Sequence, residues 1–255
     1  MTTSLARSVS MFTVVPVRVS ADLLPADGPA ALLWLPVVGA GLGATTALPA
    51  VAIRAWDPHA VLIGAILVVG ALATLTRGLH LDGLADTADA LASQAPAAQA
   101  LAIMKRSDIG PFGVMTLILV LLADVASLAT ARGGPWTPAG ILAVSAATGR
   151  VAAVQAAVRG VPSARPEGFG ALVAGRIPIA VASAWTAGVL AFGAAISLAL
   201  RIPLQWVLGP QTVALAGAWL LRRHVSRRIG GVTGDVFGAL IESATVITLI
   251  GVALR

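Results

Sequence analysis

A chain of 255 residues that is 58% hydrophobic, 11% charged and of net charge +6 has too little polar sequence to cover a water-facing globule. It has no cysteine, which excludes disulfides and thiolate metal sites. Its basic residues are not interleaved with aromatic ones in any patch, and tyrosine is absent, so nucleic acid is excluded as a partner.

Seven apolar runs approach or exceed the about 20 residues that a helix needs to cross a bilayer, at about 31–53, 59–76, 111–130, 137–158, 177–200, 203–221 and 236–254. The expected fold is therefore an all-α, polytopic membrane bundle of about seven transmembrane helices with short cytoplasmic or interfacial helices, in contact with a lipid bilayer. Ahead of the first run, Arg7 and Arg18 flank a short, interrupted apolar patch that is not a cleavable signal. Ser10 to Pro16 reads as a short interfacial helix or an extended stretch stopped by proline, and Asp22, Asp27 and Gly28 as a polar loop. The first span holds Gly39, Gly41 and Gly43, a small-residue spacing suited to close helix contacts. The turn Arg54 to His59 includes Trp56, placed where an interfacial Trp is expected.

Residues 77–110 form the longest polar stretch, a length that tends to be functional. An acidic helix is expected from Asp82, a break at Ser93 to Pro96, and a short helix from Ala97 to Lys105 whose Leu101, Ile103 and Met104 lie against membrane or bundle. Lys105 to Gly113 then sets two cations, an acid and two glycines ahead of a helix, a pattern suited to phosphate; membrane-flanking anchorage is the alternative for Lys105 and Arg106. Asp124 falls mid-span and requires a partner, for which Arg150 in the next span is the candidate, unless Arg150 reaches a substrate anion. Residues 159–176 read as a flexible basic segment containing Arg165 and Arg176. The segment 222–235, RRHVSRRIGGVTGD, places a glycine-rich turn with Thr233, Gly234 and Asp235 at the mouth of the last span. Glu242 follows seven residues after Asp235, on the same helix face.

With seven spans, one side of the membrane receives the N-terminus and the segments 77–110, 159–176 and 222–235. Twelve of the seventeen Lys and Arg fall there; Arg54, Arg132, Arg201 and Arg255 fall on the other side, and Arg150 lies within a span. That asymmetry places the long segments in the cytoplasm.

Asp82, Asp86 and Asp89 are three of the eleven acidic residues. At i, i+4 and i+7 of a helix they point to one side, with Leu84, Ala88 and Leu91 opposite. Like charges at that spacing cost about 0.2–0.5 kcal/mol per pair unless something offsets them, and hard oxygen ligands without cysteine favour Mg²⁺ or Mn²⁺. A solvated acidic face is the alternative reading.

His80-Leu81-Asp82-Gly83-Leu84-Ala85-Asp86-Thr87-Ala88-Asp89, Ile109-Gly110 with Gly113, Gly149-Arg150, Glu167-Gly168 and Gly231-Val232-Thr233-Gly234-Asp235 stand in an order and spacing that resembles the cobalamin-5′-phosphate synthase family, also called adenosylcobinamide-GDP ribazoletransferases. Phe12-Thr13 with Pro16, and Leu35-Pro36 with Gly39, add to a resemblance that covers essentially the whole chain. The chain departs from the pattern of many members at Val14, at Asp124 and at Arg106-Ser107-Asp108, where the two charges are exchanged. The resemblance implies a multi-pass enzyme of the inner or plasma membrane, one catalytic domain over residues 1–255, with its active site facing the cytoplasm. It would join adenosylcobinamide-GDP to α-ribazole 5′-phosphate (or α-ribazole) and release GMP, with Mg²⁺ as cofactor. By motif position Asp82, Asp86 and Asp89 would hold the metal and Asp235 would complete the acidic site.

Substitution at a pyrophosphate is mostly positioning and charge neutralisation. Arg150, Lys105 and Arg176 are candidates to neutralise phosphate oxygens, with Gly110, Thr233 and Gly234 as further phosphate contacts. Asp89, Asp235 or His80 would accept the proton of the attacking ribose hydroxyl, a structural role at the helix start being the alternative for His80. Asp82 is the carboxylate whose loss is expected to abolish turnover. Oligomeric state stays open, a homo-oligomer included. Two other readings are a CDP-alcohol phosphotransferase, whose Asp-Gly-x-x-Ala-Arg motif Asp82-Gly83-Leu84-Ala85-Asp86 does not match, and a transporter or channel, which would place acids near the midplane and on both sides.

Overall fold

The computed structural model describes residues 3–19, 26–57 and 59–255, and within them the chain is helical with two isolated bridges. The helices are α1 (Thr3–Phe12), α2 (Asp27–Thr46), α3 (Leu48–Trp56), α4 (Val61–Leu75), α5 (Leu79–Ala92), α6 (Ala97–Ile103), α7 (Pro111–Thr130), α8 (Thr137–Ala156), α9 (Phe169–Val173), α10 (Ile179–Ala199), α11 (Gln205–Ile229) and α12 (Gly234–Ala253). All seven apolar runs become helix, the first of them broken at Ala47. By length and composition five crossings result: α2 with α3, α7, α8, α10 and α12. The pair α4–α5, bent by 88°, makes six if it is counted as one. α4 has only 15 residues, and the apolar part of α11 ends at Arg222, which is why length and hydropathy alone give fewer than seven. The chain is a polytopic helical membrane bundle.

α8 is the axis. Burial covers 89% of its apolar window against 17% for α10, because Ala, Gly, Ser and Thr let α2, α10, α11 and α12 approach it closely. Its hydroxyls bond within the helix, Ser145 to the Ile141 carbonyl and Thr148 to the Val144 carbonyl, both at 2.8 Å. Buried Gln211 of α11 donates through Nε2 to Thr148 Oγ1 at 3.0 Å and to the Val189 carbonyl of α10 at 3.2 Å, tying three helices together.

Several connecting segments differ from expectation. Residues 222–229 are not a loop but the end of α11, closed by Gly230 at φ 88° with its N–H on the Ser226 carbonyl; the left-handed C-cap suits glycine. Asp27 and Gly28 open α2, where Asp27 forms an ion pair with Arg7 of α1; Asp22 and Pro58 lie outside the described residues. Ser10 to Phe12 belong to α1, which begins at Thr3, and the Val14 N–H then bonds to the Leu75 carbonyl at 2.8 Å. Segment 159–176 is pinned rather than loose. Its Val158 and Ile177 form one bridge and Ser163 and Val232 another.

α5 owes its direction to Arg77 and Gly78, at φ 55° and 63°. Two consecutive left-handed residues reverse the local course of the backbone, so α5 turns out of line with α4 and lies across one end of the bundle. The opposite end is held by Arg54 Nη2 on the Ala131 carbonyl at 2.6 Å and Arg132 Nη1 on the Arg255 carbonyl at 3.0 Å.

Candidate active site

Three pieces of chain meet where α5 crosses the start of α12: Asp82 and Asp86 from α5, Asp235 from α12, and Arg165 from the segment between α8 and α9. Gly83 permits the crossing, since a Cβ there would stand 2.6 Å from the Asp235 carbonyl oxygen. Gly238 does the same from the other side, its Cβ position lying 2.9 Å from the His80 carbonyl oxygen. Backbone thus meets backbone, and the carboxylates flanking Gly83 come beside Asp235.

Thr233 caps α12, its Oγ1 accepting from the Val236 N–H at 3.3 Å and donating to Asp235 Oδ2 at 3.1 Å. Arg165 reaches the same oxygen through Nη1 at 3.2 Å. Its position is fixed by Val232 N–H on the Pro162 carbonyl and Ala164 N–H on the Val232 carbonyl, both 3.0 Å, and by its own Nη2 on the Leu101 carbonyl at 2.9 Å. Its Nε is buried and without a hydrogen-bond partner.

Arg165 does not balance the acids around it. Burial and the charges of Asp82, Asp235 and Asp89 push the Asp86 carboxyl up to about 7, with Arg165 pulling the other way. Carboxylates that repel one another through a partly dry site are a donor set suited to a hard divalent cation. As placed, no group of three or more acidic or histidine side chains among the described residues converges to hold an ion.

Asp89 is turned elsewhere. Its Oδ2 accepts the Gly110 N–H at 2.7 Å and its Oδ1 the Gly113 N–H at 2.9 Å, so it caps the N-terminus of α7. The Gly110 amide, expected to meet a phosphate, is engaged by Asp89 instead. Two cavities flank the acidic face of α5: one of about 420 Å³ bordered by Asp82 and Asp235, and one of about 390 Å³ bordered by Asp86, Asp89 and Arg106. Thr233 and Gly234 line the first and Gly110 the second.

The other predicted site residues lie apart from these cavities, His80 excepted. Lys105 is exposed and lines neither. Arg106 is paired with Asp108, Nη2 to Oδ2 at 2.6 Å and Nε to Oδ1 at 3.0 Å, so the exchanged charges satisfy each other at the surface. Arg176 sits after α9, its N–H on the Val173 carbonyl at 3.3 Å, and lines neither cavity. Arg150 is 1% exposed, in space left by Gly39, with Nη1 on the Ala146 carbonyl at 3.3 Å. The expected Asp124–Arg150 pair does not form. Asp124 instead shares a small cavity with Glu242, between α4, α5, α7 and α12. His80 lines the larger cavity, with Nδ1 3.7 Å from Glu242 Oε1. Burial first, and the Arg150 charge second, hold its pKa well below the ordinary value, so the imidazole is neutral.

The sequence profile of the cobalamin-5-phosphate synthase family matches residues 4–253. The chain belongs to that family. Relatives named adenosylcobinamide-GDP ribazoletransferase include one from Nocardioides sp., 34% identical over 97% of each chain, and one from Pseudomonas aeruginosa, 35% identical over 98% of each. A third, from Frankia casuarinae, is 41% identical over 76% of this chain and 72% of its own. No solved structure matches the chain.

In this member of the family, sequence reasoning missed Arg165 as a site residue and missed the phenylalanines of the larger cavity. Arg165 had one signal, its place two residues before the Glu167-Gly168 pair. Of the phenylalanines, Phe12 had its place in the Phe12-Thr13 pair, but nothing in the sequence joins it to Phe169 and Phe237, which come from two distant stretches.

Proposed function

We propose that this chain performs the reaction for which its relatives are named, joining adenosylcobinamide-GDP to α-ribazole 5′-phosphate or α-ribazole with release of GMP. It does so with Mg²⁺ on Asp82, Asp86 and Asp235, at the cytoplasmic face of the inner or plasma membrane. The observation that carries the metal reading is the under-neutralised carboxylate set at the α5–α12 crossing, with Asp86 raised to about 7 by its acidic neighbours. When bound, the cation would neutralise the diphosphate and the departing GMP. Arg165 is a cation within reach of the same place, and its unpartnered Nε–H is a donor for a phosphate oxygen.

A ribose hydroxyl attacks the phosphorus next to the cobinamide side. The new O–P bond replaces the bond to GMP, and the hydroxyl proton passes to a carboxylate. Asp235 lines the cavity for that role through its Oδ1, since its Oδ2 accepts from Thr233 and Arg165. Asp89 is engaged by two amides, and the nitrogens of His80 are enclosed away from solvent. The twelve cations of the long-segment side favour a cytoplasmic site.

The test is purified protein in lipid nanodiscs with both substrates, with and without Mg²⁺, scored for corrinoid product and GMP. Product formed equally well after chelation of all divalent ions would remove the metal from the mechanism. Because the chain has no cysteine, single cysteines at Ser93 and at Arg132 report sidedness by labelling in intact cells. Labelling of Ser93→Cys from outside would reverse the orientation.

A further inference from the structure

The larger cavity has a mouth and a wall of different chemistry. Asp82 and Glu167 at its edge are exposed, whereas Leu32, Leu35 and Ile241 at its inner end are almost fully buried. Phe12, Phe169 and Phe237 stand edge to face along it, with ring centroids 5.4 Å apart for the first two and 5.8 Å for the last two.

We propose that this cavity holds the benzimidazole base of ribazole, its ribose lying at the mouth beside Asp82 and Asp235. The assignment rests on reading the chain as a ribazoletransferase. A flat, apolar bicycle is the shape and chemistry that three edge-to-face rings with aliphatic residues behind them accommodate, and about 420 Å³ is within the size of small-molecule sites. A corrin ring with its side chains is far too large for it. Guanine would bring several donors and acceptors against Phe, Leu and Ile, with His80 as the buried polar side chain among them, and buried polar groups without partners are costly. The second cavity, across the acidic face, is lined by Ser93, Arg106 and Asp108 as well as Asp86. The two reactants would thus approach the carboxylates from the two ends of α5, the base in the aromatic cavity beside Asp82 and the nucleotide in the cavity beside Asp86 and Arg106.

Phe169 is the residue to change, because it is only half-buried on the short helix α9. In nanodiscs, Phe169→Ala should raise KM for α-ribazole 5′-phosphate at least about tenfold while KM for adenosylcobinamide-GDP stays within about twofold. Phe169→Leu should fall between Ala and wild type. A variant that raises KM for adenosylcobinamide-GDP and leaves that for ribazole phosphate unchanged would overturn the assignment. Failure of the wild type to form product is a different result, telling against the reaction itself. In that case calorimetric binding of α-ribazole to wild type and Phe169→Ala still decides the cavity: equal affinities sink it, and at least about tenfold weaker binding by the variant upholds it.

Discussion

The two ends of α5 carry the same side chain to different purposes. At the C-terminal end, Asp89 commits both oxygens to backbone N–H groups of Gly110 and Gly113. At the N-terminal end, Asp82 and Asp86 meet another carboxylate, Asp235, with Arg165 as the cation beside them. One aspartate closes a helix terminus and the others lack compensation, although all three share a face of one helix. Regular spacing therefore sets the direction of a side chain, while its task depends on what the neighbouring helix brings to it.

That contrast can be broken or sharpened by mutation. The largest effect is expected from Asp82→Asn, which should reduce GMP release at least about 10³-fold with unchanged membrane insertion; retained turnover at matched protein level would remove Asp82 from the chemistry. Gly83→Val comes next. Its Cβ would fall 2.6 Å from the Asp235 carbonyl, so α5 must shift, costing about 1–3 kcal/mol of stability. Misplacing the acids should also lower turnover about 10²-fold; a melting curve and a rate measured together check both.

An intermediate effect concerns pH. A carboxyl raised to about 7 is neutral below that value and charged above it. Protons then compete with the cation, and apparent Mg²⁺ affinity should weaken by up to about tenfold per pH unit below about 7. Calorimetric titration at pH 6 and pH 8 would show it, and equal affinities would contradict it.

Asp89→Asn should act mainly on folding. Replacing a charged helix cap costs about 1–2 kcal/mol, and turnover per folded molecule should stay within about fivefold of wild type. A loss as deep as that of Asp82→Asn would show that Asp89 serves the reaction directly. The smallest effect on stability is expected of Arg106→Ala, since the Arg106–Asp108 pair is exposed on both sides and such pairs add little; neither melting temperature nor KM for ribazole phosphate should move.

Much of this architecture is legible in the chain itself. Apolar runs long enough to cross a bilayer cannot become anything but helix there, and 77–110 announces itself by polarity. The acidic face follows from a period near 3.6. What cannot be read is which distant residues touch. Arg150 and Asp124 each demand a partner, and pairing them is the economical guess, yet Asp124 shares a small cavity with a second acid, Glu242, and Arg150 lies beside Gly39. Lys105 and Arg176 are the cations the sequence points to, yet the bridge between Ser163 and Val232 fixes Arg165 at the site instead.

The α5–α12 crossing also bears on how the protein is made. Gly83 is synthesised before α6 to α11, and its counterpart Gly238 after them. Until α12 follows, the acidic helix rests on α7 through Asp89 and lacks the helix that brings Asp235. A nascent chain halted before α12 would contain every α5 carboxylate and no assembled site, because Asp235 and the backbone that Gly83 meets both belong to α12.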